Sequence, residues 1–205
     1  MPPTAPATET KSRSTAEAQR SKIVSRAVRV FAHAGYHATP VAQVAAAAGV
    51  SPAYVFRLFP GKLALFVSAV EHCYERVRVG LIASADGTDA STPEEILAAM
   101  SDAYVDLIRD RDLIMLQVHA QSACDVPEIR AAVQRGLAEL VTAVTDASGA
   151  DSASVQRFVA YGQLCHLIVQ ADLASIDETW ARTLSDGIQH PDDAPTPSRP
   201  GPTRD

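Results

Sequence analysis

The sequence predicts an all-α protein: a small N-terminal helix-turn-helix domain followed by a larger helical body, about nine helices in total. Three observations lead there. Aromatic residues make up only 5% of the 205, alanine is abundant and β-branched runs are short, a composition that suits helices better than sheets. Two helix-start signals separated by a glycine lie within residues 39–62, at the spacing of two short helices. The charge changes sign where that stretch ends. Residues 1–62 hold 8 Lys+Arg against 2 Asp+Glu, and residues 63–205 hold 10 against 22, so a +6 head precedes a −12 body and the net is −6. Such a distribution concentrates favourable potential for phosphate at one end of the molecule.

Residues 1–13, rich in Pro, Thr and Ser, lack the apolar side chains that offset ordering entropy and are expected to form a tail, with Lys11 and Arg13 as its only cations. Ser14-Thr15-Ala16-Glu17 has the pattern of a capping box, so the first helix is expected to start there. Ile23, Ala27, Val30, Phe31 and Ala34 would face inward, Arg20, Lys22, Arg26 and Arg29 would face water, and Gly35 would end the helix.

Thr39 reads as an N-cap and Pro40 as a first helical residue. Val41, Val44, Ala45 and Ala48 then fall at i, i+3, i+4 and i+7. Gly49 supplies the left-handed stop, Val50 plugs the core, and Ser51-Pro52 opens a second helix in which Val55 and Phe59 face inward. Two short helices joined by a glycine turn make a helix-turn-helix, a unit whose second helix enters the major groove of DNA.

The stretch AAAGVSPAYVFRLFPGKLALF resembles the DNA-binding signature of the tetracycline-repressor (TetR) family of bacterial regulators. Ala48-Gly49-Val50-Ser51, Phe56, Phe59, Lys62 and Leu65-Phe66 carry the resemblance, over about the first third of the chain. Phe56 and Leu58 stand where the family often has Tyr and Tyr or His, which leaves Tyr54 and Arg57 as the polar groups of the helix. The resemblance implies a homodimer that binds a palindromic operator in double-stranded DNA, controlled by a small-molecule effector. It also implies repression, the commonest mode in the family. The expected DNA-facing set is Ser51, Pro52, Ala53, Tyr54 and Arg57 nearest the bases, with Thr39, Gln43 and Lys62 at the backbone.

Beyond the 14–61 head, residues 62–188 are expected to form the body and 189–205, with their many prolines, a second tail. A long helix starts near Lys62. Thr92-Pro93-Glu94-Glu95 opens the next, after the loop Ala85 to Ser91. Leu113 to Ala123 is short and apolar; Pro127 starts another helix, broken at Ser148-Gly149-Ala150. The helix from Asp151 to Leu173 is apolar over more than one face, and a short one follows around Ile176 to Ile188, with Trp180.

That broad apolar face predicts a dimer contact shared with the helix from Pro127, with Leu164 and Ile168 as its central residues. The body exceeds what dimerisation needs. A ligand pocket is therefore expected, with Met100, Tyr104, Met115, His119, Phe158 and Tyr161 as candidate walls and Gln117 and Gln121 near His119 in sequence. A plain core reading of the same side chains stands beside it. Cys165 and His166 are adjacent and so point about 100° apart on a helix, which argues against a thiol–imidazole catalytic pair. No metal-ligand cluster, glycine-rich phosphate loop or Ser-His-Asp pattern is visible, so neither catalysis nor a cofactor is expected. Cys73, Cys124 and Cys165 are odd in number and widely spaced, no run of 18 apolar residues occurs, and the N-terminus is not a basic-then-apolar leader. A soluble cytoplasmic protein is the expectation. A helix-turn-helix scaffold without DNA binding and a small all-α enzyme are the alternative readings.

Overall fold

The longest uninterrupted helix in the body organises the rest. In the computed structural model, which describes the backbone of residues 7–185 and side chains from residue 16 onward, nine α-helices succeed one another. They are α1 (Ala7–Ala38), α2 (Val41–Ala48), α3 (Pro52–Leu58), α4 (Lys62–Asp86), α5 (Pro93–Leu107), α6 (Arg111–Ser122), α7 (Pro127–Ser148), α8 (Ser152–Gln170) and α9 (Thr179–Ser185). A 3₁₀ turn, Leu173–Ser175, lies between α8 and α9. The described residues contain no strand, as the composition predicts. The expected tail 189–205 and the last residues of the expected C-terminal helix lie outside the described residues.

Helix α1 runs upstream of Ser14, so Ser14 to Glu17 sit inside the helix instead of capping it. Gly35 breaks it with φ 68° and ψ −171°, a conformation closed to other residues, and the chain turns toward α2. Ala34 is exposed, while Val24, Val28 and Ala32 join Ile23, Ala27 and Phe31 in the core. The inward stripe is thus wider than the sequence pattern suggests.

The starts and stops of the body helices follow local chemistry. Thr92 and Glu95 form a full capping box at α5: the Glu95 amide donates to Thr92 Oγ1 (3.3 Å) and the Thr92 amide donates to Glu95 Oε2 (3.1 Å). Pro127 occupies the first turn of α7, and the Asp151 carboxylate caps α8 by accepting from the Ser154 amide at 2.7 Å. That hydrogen bond holds the Asp151 carboxyl below the usual carboxylate range.

Helix α4 packs along α7 on one side, and on α1 and α5 elsewhere. At the α4–α7 crossing a Cβ on Gly136 would fall 2.4 Å from the Tyr74 ring, so only glycine allows this approach. Helix α6 lies against α1, and Leu113, Leu116 and Ala120 share one continuous core with Phe31, Phe59 and Phe66. The Phe31 and Phe66 rings meet edge to face at 4.9 Å. Head and body are therefore one packed unit at this junction, although the sequence reads as two domains meeting at residue 62. An ion pair from Arg29 to Asp112 (3.5 Å) bridges the same seam.

Candidate nucleic-acid interface and effector cavity

The turn between α2 and α3 is built by backbone hydrogen bonds. The Val50 amide donates to Ala45 O (3.0 Å) and the Gly49 amide to Ala46 O (3.1 Å), with Gly49 left-handed at φ 70° and ψ 35°. This is the two-bond closure that a glycine stop permits. Ser51 then caps α3 by accepting the Tyr54 amide at 3.2 Å. Val41, Val44, Ala45, Ala48, Val55 and Phe59 are buried beneath the two helices. Burying a ring the size of Phe59 stabilises by about 1.5–3 kcal/mol, and Arg20 reinforces it from above. Its guanidinium stacks 4.3 Å from the Phe59 ring centroid and donates to Leu58 O at 2.7 Å, anchoring the end of α3.

With that face fixed, the opposite face of α3 is presented outward. Ser51, Pro52, Ala53, Phe56 and Arg57 are exposed, and so is Gln43 on α2. Arg57 stacks over the half-buried Tyr54 ring at 4.5 Å, which aligns the one cation of this helix. Phe56, 52% exposed, is the large apolar side chain on this face. Lys62 donates from Nζ to His37 O (3.0 Å) and lies over the Tyr36 ring at 4.9 Å, so it also ties the start of α4 to the α1–α2 turn.

Thr39 departs from expectation. Its side chain is fully buried, Oγ1 has no hydrogen-bond partner, and the residue preceding α2 is Pro40. It neither caps α2 nor reaches the surface where a phosphate would lie. The extended Pro40 takes the position before α2, and Thr39, one residue further back, turns its side chain inward.

Within the body, residues of α4, α5, α6, α7, α8 and α9 line a partly open cavity of about 660 Å³. Of the six candidate wall residues, Tyr104, Phe158 and Tyr161 line it. Met100 is fully buried in the core cluster behind that wall, which also holds Val77 and Leu81, and Met115 packs into the core shared with the head. His119 also points elsewhere: its ring fills the space over Gly35, where a Cβ would meet Nδ1 at 2.8 Å. Gln117, nearly buried on the same helix, is the α6 residue that does line the cavity, together with Ser101 and Asp102 of α5. Ser101 and Asp102 carry no signal for this place in the sequence, because they interrupt an apolar stripe and look like an ordinary wet face.

Behind the wall, the Tyr104 hydroxyl and His166 Nε2 form a 2.7 Å hydrogen bond between helices 62 residues apart in sequence. His166 is 2% exposed, Nδ1 has no partner, and burial lowers its pKa to about 4, so the ring is neutral at pH 7. Burial likewise pushes the Tyr104 hydroxyl far above its ordinary range and raises the adjacent Cys165 thiol, away from a thiolate nucleophile.

The two expected dimer residues are not on the surface. Ile168 is buried within its own subunit, and Leu164 is half-buried and lines the cavity. Tyr161 (61% exposed), Leu167 (49%) and, on α7, Val141 (38%) are the apolar side chains these helices present to solvent. The assignment slipped because a helix apolar on several faces gives no phase from periodicity alone. The three cysteines are free thiols. Among the described residues, no group of three or more His, Cys, Asp or Glu is placed to hold a metal ion, and no single helix is long and apolar enough to cross a membrane.

A basic helix-turn-helix seated on an acidic helical body that holds a partly open cavity defines a DNA-binding regulator. Residues 23–69 match the family model of bacterial regulatory proteins, tetR family. That stretch is a DNA-binding domain of the tetR type, and it supports reading the chain as a DNA-binding transcriptional regulator. No curated protein matches it. Solved structures share its fold at low identity. The fatty acid degradation regulator FadR from Bacillus halodurans is 20% identical, with a TM-score of 0.64 over 84% of this chain and 97% of that one. FadR from Bacillus subtilis, solved in complex with stearoyl-CoA, is 19% identical with a TM-score of 0.65 over 82% and 94%. A TetR-family regulator from Agrobacterium tumefaciens is 19% identical with a TM-score of 0.63 over 83% and 93%.

Proposed function

We propose that the protein is a homodimeric repressor whose α3 helices read a palindromic operator, and that a small, largely apolar molecule in the 660 Å³ cavity releases it. The observation that carries this reading is the position of α4. Its first residue, Lys62, is bonded to the turn before α2, and its Val77 and Leu81 line the cavity. A ligand that displaces the middle of α4 therefore displaces the seat of the head. The cavity has the size and mixture of walls typical of small-molecule sites, mostly apolar with a few polar groups.

An effector releases DNA only through a preference for the conformation that DNA does not select. A preference of about 100-fold, roughly 2.7 kcal/mol, empties most operators held near their dissociation constant. In the dimer, Tyr161, Leu167 and Val141 of α7 and α8 would meet their copies across a two-fold axis. Ser51, Pro52, Ala53, Tyr54 and Arg57 would face the bases, with Gln43 and Lys62 near phosphates.

The test pairs two assays on one panel of apolar metabolites and drugs: thermal shift of the free protein, and release of a fluorescent operator duplex followed by anisotropy. Compounds that stabilise the protein and release DNA support the reading. Stabilisation that never affects DNA binding, with cavity-lining variants such as Phe158→Ala behaving as the parent, contradicts it.

A further inference from the structure

We infer that the cavity takes a lipophilic cation, and not the anionic lipid or thioester that a solved structure of similar fold carries. This rests on the proposed reading of the cavity as the effector site. Among the described residues, no Lys, Arg or His lines it, while one carboxylate, that of Asp102, does. None of the ion pairs formed among the described residues involves Asp102. Three aromatic rings, Tyr104, Phe158 and Tyr161, stand in the same wall. The arginine of α8 closest in sequence to Phe158, Arg157, is turned to Ser154 Oγ at 2.8 Å.

The chemistry of this lining is one-sided. A ring face attracts a cation through its quadrupole, more strongly where water is displaced. An unpaired carboxylate at the mouth adds Coulomb attraction for a cation and repels a carboxylate or phosphate. An anionic head group beside the exposed Asp102 would meet like charge, with no guanidinium or ammonium in the lining to offset it. A coenzyme A thioester, with its phosphates, is the least suited of all. Ser101, Gln117, Gln163 and Thr183 supply neutral hydrogen-bond partners that orient a ligand without selecting its charge.

The experiment uses the full-length protein and three probes with one ten-carbon tail: decyltrimethylammonium, decanoyl-N-methylglucamide and decanoate, each below its micellar concentration, with stearoyl-CoA as a fourth. Calorimetric affinities are compared for the parent, Asp102→Asn and Phe158→Leu. The expected order is cation, then neutral, then anion. Asp102→Asn should weaken the cation about two- to fivefold, as an exposed charge pair does, and leave the neutral probe unchanged. Phe158→Leu keeps the bulk and should also weaken the cation selectively. Tighter binding of decanoate or stearoyl-CoA, with release of operator DNA, overturns the cation inference while leaving the effector reading intact. Equal binding of cation and neutral probe in parent and Asp102→Asn overturns it as well. Absence of binding by any probe counts against both.

Discussion

His166 is the residue with the clearest physical consequence. Its pKa falls from 6.5 to about 4 on folding because the ring is buried, so between those values the unfolded chain binds more protons than the folded one. Stability is then fully present above pH 6.5 and is lost as pH falls toward 4, by up to about 3 kcal/mol. Melting temperature should drop as pH is lowered from 7 to 5, and His166→Gln should flatten part of that drop. An identical pH profile in the variant would show that the ring is not held neutral by burial. Lys62 gives the second residue-scale expectation. Lys62→Ala should weaken binding to all DNA sequences and reduce the slope of log affinity against log salt by about one. The variant should also melt lower than the parent, because Nζ holds His37 O. Gel shifts at several salt concentrations and a melting curve check both.

Among the elements, the α4–α7 crossing is the least tolerant. Gly136→Ala places a methyl against the base of the Tyr74 ring, which is buried and has no room to swing aside. A cost of about 1–3 kcal/mol is expected from overpacking, a drop of roughly 3–10 °C in melting temperature for a chain of this size. A variant that melts with the parent would show that the helices separate freely. The elements themselves were mostly legible from sequence, because caps, glycine stops and N-terminal prolines act over three or four residues. Ser51, Gly49, Thr92 and Gly149 each do what local chemistry predicts. What was not legible depended on tertiary direction. Thr39 has a good cap residue's chemistry but is folded inward, His119 has a pocket residue's chemistry but covers Gly35, and the Tyr104–His166 bond joins helices that no spacing relates.

For the whole molecule, the proposed dimer and its reading of DNA belong together, since one head covers little DNA and two heads double the contact. Leu167→Asp, on the exposed side of α8, should yield a folded monomer by light scattering, with helical content intact. Ile168→Asp should instead unfold the subunit, because Ile168 is only 1% exposed. A folded dimer from Leu167→Asp would move the interface elsewhere. The central claim, that α3 reads operator sequence on behalf of a symmetric dimer, is tested most directly by selecting bound duplexes from a random library at moderate salt, with the parent and with Tyr54→Ala. The account predicts that the parent enriches an inverted repeat and that Tyr54→Ala enriches a repeat altered in each half. No enrichment by the parent, or the same sequence enriched by both proteins, would contradict it.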